Sequence, residues 1–374
     1  MTRFTPNVYL IVLLIAGFSC GSKQNLPLDS PDNEKSLIID YANNEIEYSG
    51  RIDTVSTNAA QLSWSGSSVK INFEGSSIDA LLKDETGDNY YNVIVDEDSM
   101  FILQPETSKQ YYTLAKSLKK GAHSVEIFKR TEWTRGKTLF YGFRIEGDTQ
   151  SLLEPNRKTR KMEFYGNSIT AGYAVEDFSG GDSPEGTYTN NYLSYSSIVA
   201  RNYNATQHVI CRSGIGIMLS WFPQIMPDIY DRLIPSDPAS KWDFDQYKPD
   251  IVVVNLFQND SWLVKNFDHQ EFKKKFKDEA PDEQFIVDSY QRFVSSLRRK
   301  YPDANIICML GNMDATREGS AWPEYVKQAV RNLEDEKIYT HFVKYKESSG
   351  HPSIKEQQDM ANSLIAFIDE NIVW

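Results

Sequence analysis

The feature that most constrains how this chain can fold is a change of grammar near residue 155. Before it, apolar residues recur at every second position in short runs separated by Gly, Asn, Asp and Ser. After it, near-continuous apolar runs alternate with stretches of helical spacing. Side chains on a strand alternate between faces, so the first pattern describes half-buried antiparallel strands. The second describes strands buried on both faces beneath helices. One sheet cannot satisfy both patterns, and the chain therefore divides into two domains. The linker carries Pro155, Asn156 and a basic run from Arg157 to Lys161.

From Leu37 to Ile145 the short runs include Gln61–Trp64, Val69–Phe73, Ser76–Leu82, Tyr90–Val95, Gly121–Arg130 and Leu139–Ile145. Strands so closely spaced, with no helical span between them, predict a β-sandwich or jelly roll over residues 37–152. Such a domain either binds sugar or braces its neighbour, and its periodicity does not choose between the two. Residues 158–374 predict a three-layer α/β/α domain with a parallel sheet. Its strands are expected at 207–211, 251–256, 305–310 and 340–343, and its helices at 192–203, 282–299, 324–335 and 353–371. In such a sheet ligands gather beyond the carboxyl ends of the strands.

Composition narrows the partners. The 374 residues carry a net charge of −12, without a basic patch interleaved with aromatics. That disfavours nucleic acid, whose phosphates require a basic footprint. No His and Asp cluster has metal-ligand spacing, so neither a metal nor a cofactor is implied. The 21 Tyr, 19 Phe and 7 Trp supply ample core, and are also what sugar-binding clefts use. Cys211 and Cys308 lie in apolar runs, which favours buried free thiols over a disulfide.

At the N-terminus, Arg3 precedes an apolar run from Val8 to Phe18, too short for a convincing membrane span, followed by Ser19 and Cys20. The segment resembles a bacterial lipoprotein signal. It predicts a signal peptide over 1–20, Cys20 as the lipidated residue, and a polar tether over 21–36 with Pro27 and Pro31. The chain is then exported and held by a lipid anchor at the outer membrane, the cell surface or in the periplasm, as a monomer. A cleaved, secreted protein is the alternative.

Chemistry concentrates in four stretches at or beyond strand ends. The run from Lys161 to Tyr173 reads as a strand ending in a tight turn of small residues that presents Ser168. A serine there is lifted from the sheet edge with backbone N–H groups around it, as an acyl-transfer nucleophile requires. Gly-Asn-Ser is also an ordinary turn. A hydroxyl nucleophile needs a base, and histidine alone has an ordinary pKa near neutral. Of five histidines, only His351 lies in a Gly/Pro-framed loop able to approach the strand ends. It reads as the base or as a helix-entry residue. Gly214 can bring a backbone N–H to a developing oxyanion, and Asn259 can add a side-chain donor, though both residue types also mark simple turns.

Taken in order, Gly166-Asn167-Ser168-Ile169-Thr170, Gly214, Asn259-Asp260 and His351 resemble the four blocks of the SGNH (GDSL-like) hydrolases. Val93–Asp96, Lys129–Glu132 and Tyr141–Phe143 resemble the N-terminal jelly roll of carbohydrate esterase family 2. The resemblance implies an acetyl esterase that removes O-acetyl groups from xylan, glucomannan and related sugars, in several members at the 6-O position. Ser168 is then the nucleophile, His351 the base, and Gly214 and Asn259 the oxyanion donors. Trp262, Tyr173 and Trp221 are candidate sugar platforms or core residues, and Gln258 narrows the site or bonds substrate.

Three positions depart from the pattern. Asn167 replaces an aspartate, Phe257 stands where a glycine is usual, and Ser348 stands where the triad aspartate would be. His351 is then oriented by a backbone carbonyl, as in dyad members of the family, or by Glu347. The missing carboxylate also motivates two rivals, a non-catalytic carbohydrate-binding lipoprotein and an esterase for another acyl group such as feruloyl.

Overall fold

The strand Arg160–Gly166 is flanked on both sides by strands that follow it in the chain. The sheet order is Ala205–Cys211, Arg160–Gly166, Ile251–Asn255, Asn305–Leu310, Ile338–Phe342, parallel throughout. Connections leave Gly166 toward one side and return across to the other, so the residues just after it occupy a topological switch point. In this computed structural model residues 36–148 and 150–373 are described. The signal over 1–20, with Cys20, and all but the last residue of the tether lie outside them.

Helices cover both faces of the parallel sheet. Tyr195–Asn202 and Ile354–Asn371 bury Val199, Met360, Leu364 and Ile368 against Phe164, Val209 and Val253. Glu283–Lys300 and Trp322–Arg331 bury Ile286, Val294, Val326 and Ala329 against Val252, Val254 and Ile306. Successive residues of the central strand thus enter opposite cores, which explains its unbroken apolar run. Caps set the helix starts: Asp282 accepts the Phe285 N–H, and Ser353 forms a capping box with Glu356. Cys211 and Cys308 are buried free thiols.

The first half is two packed antiparallel sheets. One contains Leu37–Asp40, Thr138–Glu146, Ser77–Asp84, Gln110–Ala115 and Ala60–Leu62; the other contains Ser151–Leu153, Ser68–Glu74, Ala122–Lys129, Tyr91–Val95, Ser99–Leu103 and Glu47–Ser49. Alternate residues Val69, Ile71 and Phe73 of one sheet meet Ile78, Ala80 and Leu82 of the other in a shared core. Several elements differ from expectation, two of them for reasons that the structure shows. The helix anticipated over 192–203 begins only at Tyr195, after a 3-10 turn over Asn191–Leu193. Asn190 accepts the Tyr192 N–H, and Ser194 donates to Asn191 O; these local bonds compete with the helix. The edge strand Ser99–Leu103 is exposed along most of its length, so its Met, Phe and Ile show no alternation to read.

The two halves pack as one compact unit. At their junction Arg51 of the sandwich meets Glu163 of the strand leading to Ser168, at 2.8 Å and with neither side chain exposed. Arg51 also donates to Tyr230 O at 2.6 Å, Arg232 O at 3.0 Å and Tyr165 Oη at 3.0 Å. Trp64 of the sandwich donates its indole N–H to Leu233 O at 2.9 Å. Burial alone would push the Glu163 carboxyl up, but the adjoining Arg51 and then His208 outweigh it and bring it down to about 2.

A depressed carboxylate contributes stability above its unfolded value, here 4.5, and loses it as pH falls through the folded value near 2. Glu163→Gln leaves the Arg51 charge buried without its counterion and is expected to cost ~3–5 kcal/mol at neutral pH. The variant should also lack the part of the acid-induced loss that wild type shows between those two values. Equilibrium urea unfolding across pH measures both; a wild-type acid limb in the variant would refute the account.

Candidate active site

The turn after Gly166 begins a four-residue helix, Ser168–Ala171, capped by Asn167, whose Oδ1 accepts the Ile169 N–H at 3.0 Å. The side chain at 167 therefore shapes the turn, which an asparagine does without burying a charge. Gln357 of the last helix donates to Ile169 O at 2.9 Å and accepts the Tyr195 N–H at 2.9 Å, holding the turn against two helices. Thr170 and the Tyr195 hydroxyl share a further hydrogen bond of 2.9 Å. Ser168 is left 8 % exposed at the sheet end. His351 Nε2 lies 2.9 Å from Ser168 Oγ, across 183 residues of sequence.

The carboxylate expected from Glu347, or not at all, comes from elsewhere. Asp182 Oδ2 lies 2.9 Å from His351 Nδ1, and Asp182 Oδ1 accepts the His351 backbone N–H at 2.8 Å. The hydrogen bond from His351 holds the Asp182 carboxyl below its ordinary range. Glu347 is exposed. Ser348 faces away, donating to Glu356 and accepting from Lys346 Nζ at 2.9 Å. The position usually given to the triad acid is thus part of the cap of the last helix.

Gly214 and Asn259 follow the strands Ala205–Cys211 and Ile251–Asn255, which flank the strand that ends at Gly166. Gly214 has φ +82°, and a Cβ there would stand 3.1 Å from Phe222 and 3.3 Å from Trp221. Only glycine occupies such a conformation and space without strain. Asn259 Nδ2 donates to Ile215 O at 2.8 Å, and Asn259 Oδ1 accepts the Trp221 indole N–H at 3.1 Å. An amide nitrogen carries two hydrogens, so one donor remains after these bonds. Asp260, fully buried, fixes the loop beyond Gly214: Oδ1 accepts the N–H groups of Met218 and Leu219 at 2.7 and 2.9 Å, and Oδ2 that of Ile217 at 3.0 Å. Burial outweighs these bonds and raises the carboxyl.

The sandwich enters the site as well. Glu132 accepts the Ser213 N–H and hydroxyl, each at 2.5 Å, one residue before Gly214. Buried Lys129 fixes that segment by donating to Thr131 O at 3.0 Å and Glu132 O at 3.4 Å. Burial drives this ammonium down to about 7.

The remaining expected site residues differ in their surroundings. Trp221 is 48 % exposed and lies against Gly214, open to a ligand while its N–H holds Asn259. The Tyr173 ring sits 4.7 Å from the His351 ring, with its hydroxyl donating to Asp182 O at 3.3 Å. Trp262 packs, half-buried, on a sheet core and donates its N–H to Asp314 at 2.8 Å. Gln258 is buried, and its Oε1 accepts the Ala315 N–H at 3.0 Å, so its oxygen is engaged within the protein. Phe257 adopts φ +80°, the conformation that the usual glycine takes freely. Its fully buried ring packs 4.7 Å from Tyr290 and 4.9 Å from Trp322, contacts that hold the strained backbone in place.

Asp182, Glu132, Asp260 and Gln357 were not recognised as site-forming from sequence. Asp260 and Glu132 lie inside quoted motifs, so a signal existed for them. Asp182 sits in Ser179-Gly180-Gly181-Asp182-Ser183-Pro184, which reads as a plain turn.

Residues 48–155 match the carbohydrate esterase 2 N-terminal family, and residues 164–347 the GDSL-like lipase/acylhydrolase family. The chain is 34% identical over 358 residues, 91% of its length, to the cellulase/esterase CelE of Acetivibrio thermocellus, and spans 41% of that relative. It is 25% identical over 335 residues, 87% of each chain, to the acetylxylan esterase/glucomannan deacetylase of Cellvibrio japonicus. Among solved structures, a family two carbohydrate esterase from Clostridium thermocellum in complex with cellohexaose is 33% identical, with a TM-score of 0.75, covering 87% of this chain and 98% of that one. A family two carbohydrate esterase from Cellvibrio japonicus, 23% identical, shares the fold with a TM-score of 0.79 over 90% of this chain and 97% of that one.

Asp260→Asn replaces an oxygen facing N–H donors with an amino group, or leaves a donor unpaired, in a dry environment. It is expected to lower stability by ~1–3 kcal/mol and to loosen residues 214–220. Urea unfolding and amide exchange of Ile217, Met218 and Leu219 measure this; unchanged protection of those amides would refute it.

Proposed function

The chain belongs to the family 2 carbohydrate esterases, and from that premise we propose that it hydrolyses O-acetyl esters on plant cell-wall polysaccharides such as xylan and glucomannan, with Ser168 as nucleophile and His351 as base. The observation that carries this reading is the 2.9 Å contact between Ser168 Oγ and His351 Nε2 at the switch point of the sheet.

In the proposed cycle, Ser168 Oγ attacks the acetyl carbonyl carbon while His351 Nε2 takes its proton. The carbonyl oxygen becomes an oxyanion, received by the Ser168 and Gly214 N–H groups and the remaining Asn259 hydrogen. The bond from the carbonyl carbon to the sugar oxygen then breaks, and His351 returns the proton to that oxygen. A water activated by the same imidazole attacks the acetyl-serine and releases acetate. Trp221, exposed beside Gly214, is the foremost sugar platform in this reading, and Tyr173 is better placed to pack on His351. Neither a metal nor a cofactor enters the proposal.

A purely sugar-binding role drew its motive from the absent carboxylate at 348. Asp182 beside His351 removes that motive. Export and anchoring through Cys20 belong to the same proposal, supported by the apolar run and small residues before that cysteine, and the chain is proposed to act as a monomer.

Ser168→Ala should lower turnover of 4-nitrophenyl acetate and of acetylated xylan by several orders of magnitude with unchanged thermal unfolding; retained turnover would sink the assignment. Asn259→Ala should raise the barrier by ~2.7–4 kcal/mol, read as a fall in kcat, and an unaltered kcat would remove Asn259 from the oxyanion site. Nuclear magnetic resonance of acetylated glucomannan during digestion identifies which hydroxyl is freed.

A further inference from the structure

His351 has a partner that none of the four sequence blocks contains. Asp182 lies 169 residues upstream of it, in the segment between the nucleophile's turn and the helix Tyr195–Asn202. Both carboxylate oxygens are engaged by the same histidine, one with the ring nitrogen remote from Ser168 and the other with the backbone N–H. A carboxylate that grips ring and backbone together fixes the imidazole's rotation. It also holds the proton on Nδ1, leaving Nε2 to accept from Ser168.

Three further features fit this contact. Gly350 has φ +71°, and a Cβ on it would stand 2.8 Å from Asp182 Oδ1, so the loop before His351 is pared back where the carboxylate arrives. Asp182 itself has φ +53°, a conformation costly for most side chains and tolerated by aspartate and asparagine. The segment carrying it is clamped from the sandwich: Arg130 donates to Thr187 O at 2.9 Å and pairs with Glu176, and Arg135 donates to Pro184 O. Asp177 closes the turn from inside, accepting the Ser179 N–H at 3.0 Å and the Ser183 N–H at 2.8 Å.

We propose that Asp182 is the positioning residue for His351, supplying from the loop after the nucleophile the carboxylate that position 348 lacks, and that the sandwich holds it there through Arg130 and Arg135. The enzyme then works with three members, not two. The sandwich becomes part of the catalytic apparatus rather than an appended module. This deepens the esterase reading and rests on Ser168 and His351 acting as described above.

Asp182→Asn keeps the size and the tolerance for positive φ while removing the charge. It is expected to reduce kcat on 4-nitrophenyl acetate by ~10²–10⁴-fold, with KM within about threefold and thermal unfolding unchanged; a merely structural loop residue would not produce that split. Asp182→Glu is expected to recover part of the lost kcat. Gly350→Ala approaches the same contact from the opposite side, crowding the carboxylate off His351, and should also lower kcat with little change in KM. The proposal is overturned if Asp182→Asn and Gly350→Ala both keep kcat within threefold of wild type while Ser168→Ala is inactive. If Ser168→Ala itself retains turnover, the esterase reading fails instead.

Discussion

Two charges buried away from water, Arg51 on the sandwich and Glu163 on the first parallel strand, set the geometry on which the rest depends. A buried ion pair is weak evidence for stability, since each ion gives up several kcal/mol of hydration. Its consequence is directional. Removing either charge would leave the other buried without its partner, so the pair favours the seating in which the two meet. Glu163 lies five residues before Ser168 on a strand whose neighbours are both parallel. The register that matches Arg51 to Glu163 therefore also bears on where the sandwich edge meets the loops around Ser168. Glu132 reaching Ser213, and Arg130 and Arg135 reaching the Asp182 segment, are consequences of that seating.

Around Ser168 the chain solves a recurrent problem: polar donors must be held in place without being used up. Asp260 takes three backbone N–H groups and thereby folds the loop beyond Gly214. Asn259, one residue earlier, gives one hydrogen to Ile215 O and accepts the Trp221 N–H on its oxygen, which leaves its other amide hydrogen without a partner among the described residues. Adjacent residues on one helical turn thus divide the work, one fixing the backbone and one presenting a donor. Preorganisation of this kind matters because donors already in place need not reorganise when charge develops on the substrate.

Much of this was legible in the residues. The switch from two-residue alternation to unbroken apolar strands told an antiparallel first half from a parallel second half, because alternation reports directly which faces are wet. Ser168, Gly214, Asn259 and His351 stood out as candidates because each lies at or beyond a strand end with small or turn residues beside it, and the structure brings Ser168 and His351 within hydrogen-bond distance. What escaped has physical causes. Asp182 carries no periodic or motif signal, since its position is determined by Gly350 and by arginines of another domain rather than by neighbours in sequence. Gln258 reads as a site residue because it follows a strand end, and its side-chain oxygen accepts the N–H of Ala315 in the short 3-10 turn over Asp314–Thr316. Phe257 shows that a backbone conformation can outlast the glycine that usually allows it, when a side chain is packed hard enough on Tyr290 and Trp322.

The departures at 348 and 182 make sense as one rearrangement. Ser348 bonds Glu356, and Lys346 Nζ donates to Ser348 and to the carbonyls of Ser348 and Ser349. An aspartate at 348 would face the Glu356 carboxylate and compete with it for Lys346, weakening the cap of the helix that packs behind the nucleophile. A carboxylate brought in from Asp182 avoids that conflict. It approaches His351 from the side left open by Gly350, where Lys346 lowers its cost as a charge without bonding it. The position of a carboxylate that orients a histidine is constrained by where it must point, not by where it enters the chain. A loop clamped by a rigid sandwich meets that constraint as well as a residue three places before the histidine.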